Sequence, residues 1–392
     1  MAKGAYIGVD SKARKIKKGY IGVDNKARKI KKGYIGVGGV ARPFMTGGEV
    51  AYYGTATAMS NPRMGHCVAT FNGRAIFAGG YNPNDSQAEE YTKTVDSYDS
   101  SLTKIPLTNM SIQARYSSAV ATTSRLIISG GETISGGVNG TGIVYDKSFT
   151  MTTCTRINYS QQTSGAVGTY AVFAGGQNIS GSNVAVIHYY SSSLTLSTHS
   201  EQVGYGPCVA ANAGDYLCFC GFTGSGNSNS SNDVIALNSS LTKSTKSFAT
   251  SYKPCQLGAC SLSNCAIFGG GALKSSGKFE KVYATVNRIN ADLTITALTN
   301  MTQARRNLTA ASNADCALFV SGNTSTDSMS SSNSSVIDAY DASFVRQNAL
   351  TTTPMYCHLG ASTGNYILFA GGCRYVNSAQ RYDNTVEAFV VA

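Results

Sequence analysis

Four histidines, His66, His188, His199 and His358, are the only imidazoles among 392 residues. Imidazole is the side chain best suited to metal ligation or proton transfer near neutral pH. His66 and His358 precede equivalent small-residue apolar stretches and could both face a central channel. His188 falls in a strand-like stretch, and His199 farther out in the same segment. The donor set is incomplete, so no metal and no cofactor are expected. The adjacent acids Glu89 and Glu90 lie in a polar loop, where neighbouring carboxylates rarely converge as acid and base. No phosphate-cradling glycine loop, HExxH pattern or nucleophile elbow occurs, and no enzyme is expected. The 11 cysteines recur at equivalent positions (Cys67, Cys208 and Cys260; Cys265 and Cys316), which reads as buried apolar packing in a reducing compartment.

The remaining chemistry is that of a binding surface. Arg63, His66, Arg115, Tyr116, Tyr205, Tyr252, Lys253, Arg305, Arg306, Tyr356 and His358 all stand just before, or at the start of, such apolar stretches. Tyrosine offers a stacking face and arginine a bidentate fork, a combination suited to a carbohydrate or an acidic peptide. A structural role competes for Arg63, Arg115 and Arg305, which could instead bond neighbouring backbone carbonyls.

The elements that position these residues repeat. "RAIFAGGY", "RLIISGGE", "YAVFAGGQ", "YLCFCGFT", "CAIFGGGA", "CALFVSGN" and "YILFAGGC" align so that the second glycine position falls at 80, 131, 176, 221, 271, 322 and 372. Seven copies at a period of about 49 residues, each with four strand-like stretches, predict an all-β, seven-bladed β-propeller. With 42 Gly, 23 Tyr, no Trp and 14% charged residues, the composition suits strands and turns. Successive loops of a meander alternate between faces, so the loops after the glycine pairs share a face with the segments leading into each blade. The seventh copy has three strands to Ala392, and "EVAYYGTATA" supplies the fourth. Residues near 49–58 are therefore expected to pair with residues near 387–391.

These residues resemble the kelch repeat: Gly79-Gly80, the pairs Tyr98-Asp99, Tyr145-Asp146 and Tyr340-Asp341, and Met59, Pro62, Arg63 and His66 in "MSNPRMGHCVA". The usual Trp of that repeat is absent. Leu102, Phe149, Leu194, Leu241, Leu293 and Phe344 stand where an apolar anchor between blades is needed. Galactose oxidase, which carries copper on a kelch-type ring, makes Tyr356, Cys357 and His358 a possible metal locus, against which the sparse histidine set argues.

Residues 1–46 stand apart from residues 47–392. Positions 1–42 hold 12 Lys and Arg against Asp10 and Asp24, nearly all of the net charge of +11. Tyr6, Tyr20 and Tyr34 repeat every 14 residues, with Arg14, Lys15, Arg28 and Lys29 in the intervening "ARK" phrases. A meander of short strands joined at Asp-Ser, Asp-Asn and Gly-Gly is expected, too small to fold alone. The phrase is similar to N-terminal repeats of phage and prophage structural proteins. That resemblance implies a non-enzymatic virion component (fibre, tail, baseplate or capsid decoration) whose arm docks on other virion proteins, or on copies of itself, and whose propeller meets a host-surface glycan or protein. The start has no apolar run of signal-peptide length, and no stretch is long enough to span a membrane. Assembly in a bacterial cytoplasm is the corresponding expectation for location. The alternatives are a cellular kelch-type adaptor and a galactose-oxidase-like enzyme. Evenly spaced charge on a ribbon reads as a solvated or partner-facing side, which argues against nucleic acid as the partner.

Overall fold

The computed structural model describes residues 6–391, apart from 10–11, 16–18, 24–25, 31, 38–39, 47–48, 84–90, 134–140, 225–227, 328–331, 356–357 and 377–378. Before residue 49 and at 375–376 the backbone alone is described. The described residues form strands, turns and loops, with no helix.

Seven four-stranded antiparallel sheets make up the ring. Their innermost strands are Cys67–Phe71, Arg115–Ala121, Thr163–Val167, Val209–Ala213, Gly258–Leu262, Thr309–Ser312 and Leu359–Thr363, which define blades 1 to 7 in chain order. The second strands, such as Arg74–Ala78 and Tyr366–Ala370, are buried on both faces because each sheet is covered by a neighbour on either side. Side-chain alternation then serves two cores at once. Ile76 and Ala78 join Leu126 and Ile128 of blade 2, while Ala75 and Phe77 join Leu368 and Ala370 of blade 7. Blade 7 is completed by Val50–Ala56, antiparallel to Val386–Val391, with Val50 opposite Val391 and a bulge at Ala388/Phe389. The ring is thus closed by a strand from the N-terminal side, as the repeat count requires.

The glycine pairs exist because neighbouring backbones meet there. The first glycine has φ near +70° and the second near +90° in blades 2, 3, 5 and 7 (Gly130/131, 175/176, 270/271 and 371/372), the left-handed region that favours glycine. The second N–H donates to a carbonyl in the segment leading into the next blade: Gly80 to Ala114 (2.8 Å), Gly131 to Tyr159 (2.9 Å), Gly271 to Arg305 (2.7 Å) and Gly372 to Arg63 (2.9 Å). A Cβ on the first glycine would fall 2.5–2.7 Å from the same oxygens, at Gly79, Gly130, Gly270 and Gly371. Blade 4 corrects the sequence alignment. Bridges of Tyr205 and Ser230 to Thr223 place Gly221 at the first position and Phe222 at the second. The Phe222 ring lies where Gly204 leaves space, since a Cβ there would sit 2.2 Å from it.

The expected apolar anchors share one unusual conformation. Leu102, Phe149, Leu194, Leu241, Leu293 and Phe344 all have φ between +61° and +65°, at the turn joining third and fourth strands. Left-handed geometry costs a non-glycine residue roughly 1–2 kcal/mol, which burial of a large apolar side chain offsets; Leu241 and Leu293 are buried. The turn is held by the preceding Asx residue, whose Oδ1 accepts two backbone N–H groups, at Asp99, Asp146, Asn238 and Asp341. On the same strands Tyr98, Tyr145, Tyr190 and Tyr340 donate their hydroxyls to the carbonyls of Thr57, Thr108, Thr155 and Thr299, just past the fourth strand of the preceding blade.

Among the described residues of the arm the strands pair two by two rather than as the expected continuous meander: Tyr6–Val9 with Lys12–Lys15, Gly19–Val23 with Lys26–Ile30, and Lys32–Val37 with Val40–Thr46. Each 14-residue repeat is one hairpin. Tyr6 lies opposite Lys15 and Ile7 opposite Arg14; Tyr20 lies opposite Lys29 and Ile21 opposite Arg28; Tyr34 lies opposite Pro43 after a bulge.

Two glycines with similar φ separate backbone strain from steric exclusion. At Gly73 (φ +77°) a Cβ would meet nothing, whereas at Gly130 (φ +73°) it would sit 2.5 Å from the Tyr159 carbonyl. Gly73→Ala is expected to cost about 1–2 kcal/mol of backbone strain. Gly130→Ala should cost at least twice as much in urea unfolding, because the stitch to blade 3 must also open.

Candidate functional site

Bridges between the lead-in segments and the residues following each glycine pair, including Met64–Tyr81, Ser160–Gln177, Cys255–Ala272 and Arg306–Asn323, put both sets of loops on one face. A ring of left-handed residues lies at the ends of the lead-ins: Gly65, Tyr116, Gln161, Gly206, Gln256 and Asn307, with φ between +50° and +89°. Backbone bonds run from blade to blade through it: Tyr116 N–H to Gly65 O (2.6 Å), Gln161 N–H to Tyr116 O (3.0 Å) and Asn307 N–H to Gln256 O (2.8 Å).

Strand alternation around this ring divides the candidate residues in two. Arg63 and Arg305 stand two residues before it and point inward, fully buried. Arg63 pairs with Asp96 at 2.9 Å and donates to the Phe77 carbonyl and to Thr94. Arg305 pairs with Asp338 at 2.6 Å and donates to the Phe319 and Val336 carbonyls. Burial alone would raise the Asp96 pKa, but the Arg63 charge and hydrogen bonds from Ser60 outweigh it and hold the carboxyl below its ordinary value. These two arginines belong to the frame and leave the proposed ligand face. Arg115 and Arg306 stand one residue before the ring. Arg115, about a quarter exposed, pairs with Glu132 at 3.1 Å and lies over the rings of Tyr81, Tyr116 and Tyr91 at 4.6, 5.1 and 5.2 Å. Arg306 is buried, donating to Ser325 O and Gln256 Oε1, with its guanidinium 4.2 Å from the Phe279 ring centre. Tyr252 is also buried, its hydroxyl donating to Gly270 O at 2.9 Å. Of the predicted face, Arg115, Tyr116, Tyr205 and Lys253 retain access to solvent, the last two lining one polar groove beside blade 4. Tyr356 lies outside the described residues, as do Cys357, Glu89 and Glu90.

His66 and His358 are both nearly fully buried at neighbouring seams, His66 where blade 7 meets blade 1 and His358 where blade 6 meets blade 7. The His66 ring lies under Gly371, and His358 stacks at 5.6 Å on Phe369. Burial keeps both neutral: His66 falls well below the usual histidine range and His358 falls to about 4. The Arg63 charge lowers His66 further. His188 packs on Tyr159 at 5.1 Å in blade 3. Among the described residues no three His, Cys, Asp or Glu side chains converge as a metal site would require.

Sequence reasoning did not find one concave feature of the mouth. A cavity of about 400 Å³ is lined by blades 3 to 7, a span that places it on the ring axis. Its polar lining includes Gln161, Gln177, Thr223, Gln256 and His358, and Lys274 and Phe279 reach it from a hairpin, Ala272–Ser275 with Lys278–Val282, inserted after the blade 5 glycine pair. The amides form a chain, Gln161 Nε2 to Gln177 Oε1 (2.7 Å), Gln177 Nε2 to Asn183 Oδ1 (3.2 Å) and Asn183 Nδ2 to Thr223 Oγ1 (3.1 Å). Recurrence of Gln or Asn at the left-handed position was the available signal, hidden because neighbouring blades carry Gly or Tyr there.

Ring and mouth together define a β-propeller. No protein-family model matches the chain, and no curated protein matches it. Among solved structures it is similar to one described as "Structure of YjhT", with a TM-score of 0.54 and 13% identity over 75% of this chain and 99% of that one. A likeness at that identity shows the fold alone.

Unfolded histidines titrate near 6.5, whereas folded His358 titrates near 4 and His66 also lies far below its usual value. Between about pH 6.5 and pH 4 the unfolded chain therefore binds protons that the folded chain refuses, and stability falls as pH falls. Urea unfolding at pH 7, 5.5 and 4.5 should show this decline, with a shallower slope in a His66→Leu/His358→Leu variant. Arg305→Ala strands Asp338 and should cost about 3–5 kcal/mol, a loss of folding rather than of ligand.

Proposed function

We propose that the propeller is a non-enzymatic binding head, carried on a larger particle by the basic N-terminal arm, and that it meets its ligand at the face bearing the axial mouth. The observation that supports this most is the mouth cavity itself. It is concave, spans five blades, and is lined mainly by neutral hydrogen-bonding and apolar side chains, the composition of a recognition site. The kelch-like grammar of the repeats accords with a binding role, and the similarity of the arm to repeats of phage and prophage structural proteins supports a virion as the particle. The separate hairpins fit this reading, because a single two-stranded ribbon is marginal in water and gains order by pairing with another surface. Host-surface glycan or protein is the proposed target of the head, with the arm reserved for virion proteins or further copies of the chain.

Deletion of residues 1–46 should leave a folded ring with an unchanged melting profile. In a complementation assay this truncated protein should be absent from purified particles while the isolated head still binds host cells. Incorporation at the full-length level would refute the docking role of the arm, and a head that binds no host cell would refute the receptor role of the mouth face.

A further inference from the structure

The axial mouth holds a polar atom that the fold leaves unused. His358 is about 3% exposed and lines the cavity. The Val320 carbonyl engages its ring, and among the described residues Nε2 has no hydrogen-bond partner. With the other nitrogen protonated toward Val320, a neutral imidazole presents Nε2 as a lone-pair acceptor. A buried acceptor left unsatisfied forfeits its solvation with nothing in return, so its position on a cavity wall indicates a donor supplied from outside.

The rest of the wall narrows the chemistry of that donor. Phe279, on the inserted hairpin, lines the cavity with Arg306 stacked 4.2 Å and Lys274 Nζ 5.3 Å from its ring centre, so its remaining ring edge and face supply the apolar surface, and Gln161, Gln256 and Thr223 supply neutral donors and acceptors. Among the described residues Lys274 is the one charged side chain in the lining, and no carboxylate joins it. An apolar ring face beside scattered neutral hydrogen-bonding groups complements a pyranose, which has a C–H face and a rim of hydroxyls. A polyanion would meet too little positive charge.

We propose that the axial mouth is a saccharide site in which a sugar hydroxyl donates to His358 Nε2 and the sugar ring packs against Phe279. This rests on the reading of the propeller as a binding head and names the ligand class for it. The inserted blade 5 hairpin is then the specificity element.

The test uses the full chain in calorimetric titration with N-acetylglucosamine, glucose and galactose, and with an acidic hexapeptide as the contrasting probe. At least one sugar should bind at pH 7. Phe279→Ala, on the projecting hairpin, should weaken that binding about ten-fold with an unchanged melting temperature, and His358→Leu should weaken it similarly in whatever fraction folds. Sugar affinity should fall as the pH approaches 4, where Nε2 is protonated. Absence of binding by all three sugars, sugar binding unaffected by Phe279→Ala, or binding of the peptide alone would overturn the proposal. Host-cell binding measured on the same variants separates the two readings. Sugar binding lost in Phe279→Ala while cell binding persists supports the saccharide site and removes it as the receptor contact. Cell binding by the wild-type head without any sugar binding keeps the display reading and overturns this one.

Discussion

The structure depends on one hydrogen bond repeated around the ring: the N–H of the second glycine in each pair reaching a carbonyl of the next blade's lead-in. A Cβ at the first glycine would stand on the same oxygen, so side chains are excluded where the bond must form. Each stitch joins two blades through backbone alone, independent of the side chains that vary between copies. The Tyr hydroxyl ties farther out perform a similar linkage in blades 1, 2, 3 and 6. Ring closure through Val50–Ala56 then leaves blade 7 with the same four strands as its neighbours.

From this stitching follows the division between frame and site. The lead-in that offers its carbonyl to the preceding blade must run extended up to a left-handed residue, so successive side chains point alternately inward and outward. Position two before the turn is inward, where Arg63 and Arg305 meet Asp96 and Asp338; position one before it is outward, where Arg115 reaches the tyrosine cluster. Around the axis three of the left-handed residues, Gln161, Gln256 and Asn307, line the mouth, and their amides form part of its polar wall.

Much of the fold was legible because it is written seven times. The glycine pairs, the strand grammar and the shortened seventh copy each point to a closed ring, and the Leu and Phe at 102, 149, 194, 241, 293 and 344 could be picked out as equivalents. The site was far less legible. Arg63 and Arg115 look equivalent in the sequence, yet a one-residue offset from the left-handed turn sends one inward and the other outward. Blade 4 carries Phe222 where a glycine is expected, because Gly204 makes room for its ring; sequence spacing alone assigned Gly221 to that position. The hairpin bearing Phe279 reads as a loop with few apolar residues, and its place over the axis comes from its blade rather than from its own pattern.

The central claim is that the stitches hold the ring as one cooperative body and leave the mouth as a binding surface. Native-state hydrogen exchange of the second-glycine amides, Gly80, Gly131, Gly271 and Gly372, tests it most directly. The account predicts that they exchange as slowly as the second strands and with the full denaturant dependence of global unfolding. Rapid exchange by local opening, at rates typical of exposed loops, would contradict it.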